Sequence, residues 1–123
     1  MIPFDNFILE DGIPIYLQII RYIKQGIAAG TILSNDELPS RRVLSSLLGV
    51  NPNTVQKAYR MLEEESLIES RSGAKSYMKL GKEQIQEIRT ELIETDAMNA
   101  VKKLKQLGIS KEEACALLDK YWN

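Results

Sequence analysis

Two short apolar-striped stretches meet at Gly49-Val50-Asn51-Pro52, and that junction restricts the fold more than any other part of the chain. Upstream, "SRRVLSSLLG" can be capped by Ser40, with Leu44, Leu47 and Leu48 as its inner face and Gly49 as its stop. Such a helix has only about two turns, so it persists only when packed against neighbours. Downstream, "NPNTVQKAYRMLEEE" offers Asn51 as an N-cap and Pro52 at the first helical position, where a missing N–H costs nothing. At about 100° per residue, Val55, Ala58, Tyr59 and Leu62 fall on one side of this helix. Asn53, Gln56, Lys57 and Arg60 fall on the other, and Glu63, Glu64 and Glu65 are held back to the far end. Two helices joined by so short a link form a helix-turn-helix.

The flanking segments complete a known order. "PIYLQIIRYIKQGIAAG" predicts a helix from Pro14 to a stop at Gly30, with Tyr16, Ile19, Ile20, Ile23 and Ile27 as one buried stripe. "TILSNDEL" reads as a connector with a turn at Asn35-Asp36. After the third helix the period changes: Leu67–Arg71 and Lys75–Met78 are short strands around Ser72-Gly73-Ala74, a hairpin. The expected fold is therefore mainly α with a small β-hairpin, a winged helix-turn-helix over residues 1–80. Residues 81–123 form a separate helical tail. A long helix spans Lys82–Leu107, with Ile85, Ile88, Leu92, Val101 and Leu104 as its apolar series, and Gly108 ends it. Ser110 and Glu113 make a capping box for a last helix carrying Ala114, Leu117, Leu118, Tyr121 and Trp122. Two such helices cannot enclose a core alone, so their apolar stripes need cover from the winged domain or from a second copy; a second copy is the expectation, because DNA half-sites reward two-fold dimers. Its dimerisation residues are Ile88, Leu92, Val101, Leu104, Leu117, Leu118, Tyr121 and Trp122. On this apolar face Cys115 reads as a small buried hydrophobe.

Composition excludes whole classes of chemistry. With no His and a single Cys among 123 residues, a Cys/His zinc site, a Ser-His-Asp triad, a Cys-His pair and an internal disulfide all drop out. Neither GxGxxG nor a P-loop occurs, so no nucleotide cradle or other cofactor is expected, and an enzyme is not. No apolar run reaches the roughly 20 residues of a membrane span. The first 13 residues carry three acids and no base, unlike a secretory signal. A cytoplasmic protein without a membrane partner is the expectation.

The net charge of −1 hides a useful distribution. Nine bases against six acids lie between residues 14 and 80, whereas 81–123 holds seven against eight. The basic excess surrounds the helix-turn-helix, whose second helix enters a DNA major groove in proteins that use the motif for recognition. Asn53 and Gln56 carry amides able to bond adenine N6/N7. Lys57 and Arg60 suit phosphates. Thr54 can bond locally or reach a phosphate. Arg41 and Arg42, after Ser40 at the start of the preceding helix, can clamp phosphate or fork onto guanine O6/N7. At the hairpin tip Ser72, Gly73 and Lys75 are placed to meet the DNA backbone.

These segments, with "LPSRRVLSSLLGVNPNTVQKAYRMLEEESLIESRSG" at their centre, resemble the GntR family of bacterial transcription regulators. The "NPNTVQKAY" phrase and short tail resemble its YtrA-like branch. The resemblance covers roughly residues 14–123. It implies a homodimer binding operator DNA, usually as a repressor, and in this branch often control of ABC-type transporter genes. It also implies that Arg42, in the "LPSxR" phrase, contacts DNA, that Asn53 and Thr54 face DNA, and that Gly73 is the wing-tip glycine. The family often carries Arg where this chain has Pro52 and Gln56, so base readout by those arginines does not carry over. The tail is too short for the effector domain of larger branches, and the residues specify no small-molecule effector.

The leading expectation is a homodimeric regulator bound to a double-stranded, inverted-repeat operator. The alternative is a winged-helix protein-interaction module without DNA binding, which the acidic run Glu63–Glu65 favours and the face of Asn53, Gln56, Lys57 and Arg60 opposes.

Overall fold

Isoleucines every three or four residues give the first helix one apolar face to bury. In a computed structural model describing every residue from Met1 to Asn123 except Ser72 and Ala74, this helix, α1, spans Ile15–Ala29. Ile19, Ile20, Ile23 and Ile27 are buried along it, and Gly30 ends it in the left-handed region at φ 79°. Strand β1 (Glu37–Leu38) follows, then α2 (Arg41–Leu48) and α3 (Pro52–Glu64). Strands β2 (Ile68–Ser70) and β3 (Ser76–Met78) make the hairpin, and α4 (Lys82–Gln106) and α5 (Lys111–Tyr121) close the chain. The described residues divide into two compact units, Met1–Arg89 and Thr90–Asn123, so α4 begins in one and ends in the other.

In the first unit, α1 and α2 both pack on α3. Tyr59, Val55, Ala58 and Leu62 present no surface to solvent and meet Ile19, Ile23, Leu44 and Met78 in one core. The sheet has the order β1-β3-β2, all antiparallel, with Leu38 opposite Ser76 and Ser70 opposite Ser76 on the other edge. The connector "TILSNDEL" thus contains a strand. Two residues are too few to show alternation, and only pairing with β3 defines it.

The N-terminal arm belongs to this unit. Ile2 N–H donates to the Glu37 carbonyl at 2.8 Å, extending the β1 edge. Phe4 is buried against Tyr22 with ring centroids 4.8 Å apart, and Phe7 meets Tyr22 edge-on. Tyr22 Oη donates to the Pro3 carbonyl at 2.7 Å. Leu47, expected on the inner face of α2, is instead 61% exposed, because α3 covers only the Leu44 side of so short a helix.

In the second unit α5 begins as its capping box requires, with Glu113 N–H donating to Ser110 Oγ at 3.2 Å. Leu104 and Ala114 are half-buried, whereas Val101, Leu117, Leu118, Tyr121 and Trp122 are exposed. Cys115 is also exposed, which corrects the expectation of a buried thiol: its apolar neighbours on α5 are uncovered too. No helix among the described residues is long and apolar enough to cross a membrane.

Candidate nucleic-acid interface

The turn between α2 and α3 is made by residue chemistry legible in the chain. Ser40 Oγ accepts from Val43 N–H at 3.1 Å to start α2, and Gly49 stops it at φ 68°. Asn51 Oδ1 accepts from Asn53 N–H at 2.8 Å, and Pro52 takes the first position of α3. These caps fix the orientation of α3 while its apolar side is pinned. Tyr59 Oη, buried, donates to the Pro39 carbonyl at 2.7 Å and ties α3 to the residue just before the Ser40 cap of α2. Burial pushes the Tyr59 hydroxyl far above its ordinary range, with Arg41 pulling slightly back, so it remains a donor.

What remains outside is the row Asn53, Gln56, Lys57 and Arg60, all exposed, with Thr54 half-buried beside them. Lys57 Nζ lies 4.0 Å from the centroid of the Tyr16 ring, which steadies the cation without neutralising it. Among the described residues, the ion pair of Arg60 is a long contact, 3.9 Å, with Glu64 one turn on. Arg42 is exposed and makes no ion pair among the described residues. Gly73 and Lys75 are exposed in the wing, Gly73 at φ 76°, a backbone setting that suits glycine. Ser72 lies outside the described residues.

Arg41 differs from its neighbour. Its Nη2 donates to Glu63 Oε1 at 3.0 Å and its guanidinium lies 5.1 Å from the Tyr59 ring centroid, so it is turned onto α3. Ser70 Oγ also donates to Glu63 Oε1, at 3.2 Å, and that carboxylate therefore joins α2, α3 and the wing. Sequence reading missed this tether, as nothing in spacing links residues 41, 63 and 70. It also missed the base of the wing. Arg71 stacks 4.2 Å from the Tyr77 centroid and donates to Glu69 Oε1 and to Asn35 Oδ1. Arg71 and Lys79 hold the Glu69 carboxyl below the ordinary glutamate range.

The electrostatic consequence bears directly on a chain of net charge −1. Glu63 is paired with Arg41, Glu65 with Lys24 at 2.9 Å, and Glu69 with Arg71 and Lys79. Three acids in or beside the helix-turn-helix are thus matched locally, and Arg42, Lys57 and Lys75, with Arg60 in its long contact to Glu64, are exposed cations around it. A slim helix with amides and cations on its free side, a preceding capped helix and a flanking hairpin define a winged helix-turn-helix protein.

Known proteins share this architecture. Residues 15–77 match the sequence profile of the bacterial regulatory proteins of the gntR family. The uncharacterised HTH-type transcriptional regulator YhcF of Bacillus subtilis (strain 168) is 35% identical over 100 residues, covering 81% of this chain and 83% of its own. The HTH-type transcriptional repressor YtrA of the same organism is 37% identical over 107 residues, covering 87% and 78%. A solved GntR family transcriptional regulator from Listeria monocytogenes superposes with a TM-score of 0.77 at 36% identity, covering 91% of this chain and 98% of that one. The chain belongs to the GntR family, in its YtrA-like branch, and is a DNA-binding transcription regulator rather than an enzyme.

Proposed function

We propose that the protein is a homodimeric repressor that closes an inverted-repeat operator. The observation that carries this reading is the free row of α3, where Asn53, Gln56, Lys57 and Arg60 are exposed while Val55, Ala58, Tyr59 and Leu62 on the opposite side are buried. Entering a major groove, Asn53 and Gln56 would meet base edges and Lys57 and Arg60 the phosphates. Arg42, the hydroxyls of Ser40 and Thr54 at the two helix starts, and Gly73 with Lys75 in the wing would anchor the backbone on either side. Arg41 would act behind them, holding α2 on α3 through Glu63.

Dimerisation is supported by the tail. Val101, Leu117, Leu118, Tyr121 and Trp122 are exposed in a single chain, Trp122 at 81%, and Leu92 and Leu104 only half-covered. Ile88 is already buried within the chain and adds little to a partner surface. Two-fold pairing would present two α3 helices to half-sites about 34–36 Å apart. The sense of regulation follows YtrA of B. subtilis, which is named a repressor. Action on chromosomal DNA would place the protein in the cytoplasm, and the branch resemblance directs the operator search to promoters of ABC-type transporter genes.

A gel-shift titration against genomic fragments, repeated over salt, tests the reading. The bound fragments are expected to share an inverted repeat, with affinity falling steeply as salt rises and exceeding that for random duplex by about 10³ or more. Equal affinity for random duplex, or no salt dependence, overturns it.

A further inference from the structure

The second half of α4 carries a charge pattern symmetric about one residue. Glu94 stands four residues before Met98 and Lys102 four after, while Glu91 and Lys105 stand seven before and seven after. At about 100° per residue, all four lie within about 40° of Met98 on the helix surface, and Val101 within about 60°. All are exposed, Met98 at 72% and Val101 at 52%. None of the four charges forms an ion pair among the described residues. Ala97, Met98 and Val101 floor a shallow trough on this stretch, with Lys102 and Lys105 at its rim.

From this pattern we infer that the trough is filled by the same stretch of a second copy, running antiparallel, with the two-fold axis passing at Met98. The inference rests on the homodimer reading above and names its geometry. A two-fold axis perpendicular to α4 sets residue 98−n against residue 98+n of the partner. Glu94 then faces the partner's Lys102 and Glu91 the partner's Lys105, and each contact occurs twice. At about 1.5 Å rise per residue the two rings of charge lie about 6 and 10 Å from the axis, on either side of an apolar centre of Met98 and Val101. A parallel, in-register pair would set glutamate against glutamate and lysine against lysine, so the same charges reject it.

The symmetry supplies its own test, in the full chain, by sedimentation at a series of concentrations. Glu94→Lys alone is expected to weaken self-association roughly tenfold, because two attractive contacts become repulsive, and Lys102→Glu alone likewise. Mixed together, the two single variants should associate with each other as tightly as wild type to within about threefold, since every contact in the mixed pair is attractive. The double variant should self-associate again. Met98→Cys in a Cys115→Ser background should give disulfide-linked dimers on mild oxidation, and Asn99→Cys in that background should not. Circular dichroism confirms that each variant keeps its helix content. Wild-type chains that stay monomeric at all concentrations overturn the homodimer reading itself. Wild-type dimers whose single charge variants pair no worse, show no rescue on mixing, or fail to cross-link at residue 98 overturn only this antiparallel geometry.

Discussion

Adjacent arginines at the start of α2 should fail in opposite ways when each is replaced by alanine. Arg41 is held by Glu63 at 3.0 Å and over Tyr59 at 5.1 Å, and the two charged side chains are 26% and 38% exposed. A pair so open to solvent is worth about 0.5–1 kcal/mol, and the guanidinium over the ring adds about 0.5–1 kcal/mol. Arg41→Ala should therefore cost about 1–2 kcal/mol, on the order of 10 °C in Tm for a unit of this size. Its DNA binding should keep the wild-type salt slope, because no phosphate contact is lost. Arg42 has no such partner, so Arg42→Ala should change stability by less than about 0.5 kcal/mol. On the proposed dimeric operator complex it would remove two phosphate contacts, one per protomer. The slope of log K against log[salt] should become less negative by about 1.8. Thermal unfolding followed by circular dichroism gives the first quantity. Fluorescence anisotropy of a labelled operator between about 50 and 200 mM salt gives the second. If Arg41→Ala flattens the salt slope and leaves Tm unchanged, the assignment of Arg41 to the fold and Arg42 to DNA is refuted.

Other substitutions probe the frame that holds the recognition helix. Ser66 sits at φ 61° just beyond α3, where Leu67 N–H closes onto the Leu62 carbonyl at 3.0 Å, so Ser66→Gly should raise the urea midpoint by the equivalent of about 0.5–1 kcal/mol. Tyr59→Phe leaves the Pro39 carbonyl without its buried donor and should cost about 1–3 kcal/mol in urea unfolding, with the DNA salt slope unaltered. Glu69 has a folded pKa lowered by Arg71 and Lys79, so its contribution is present above the unfolded glutamate pKa and lost as pH falls through the folded value. Urea midpoints of Glu69→Gln and wild type should accordingly differ at neutral pH and converge once the pH falls below the folded pKa; a gap that never closes on acidification would refute the assignment.

The helices were legible because their boundary signals act over a few residues. Gly30 and Gly49 stop α1 and α2, Asn51 and Pro52 start α3, and Ser110 caps α5, each through contacts within one turn. Apolar spacing likewise placed Val55, Ala58, Tyr59 and Leu62 inside and Asn53, Gln56, Lys57 and Arg60 outside. Such features depend on local backbone geometry and on which side of a helix a residue falls, and both are written in the order of residues. Other features required distant segments to meet. β1 exists only as a partner of β3, and the arm holding Ile2 and Phe4 only as a cover for Tyr22 and the β1 edge. Local chemistry does not separate Arg41 from Arg42; in the sequence only the family resemblance favoured Arg42. Glu63, 22 residues further on, draws one onto α3 and leaves the other outside. The pairing of acids with bases around the motif was decided the same way, because an ion pair depends on distance in space rather than along the chain.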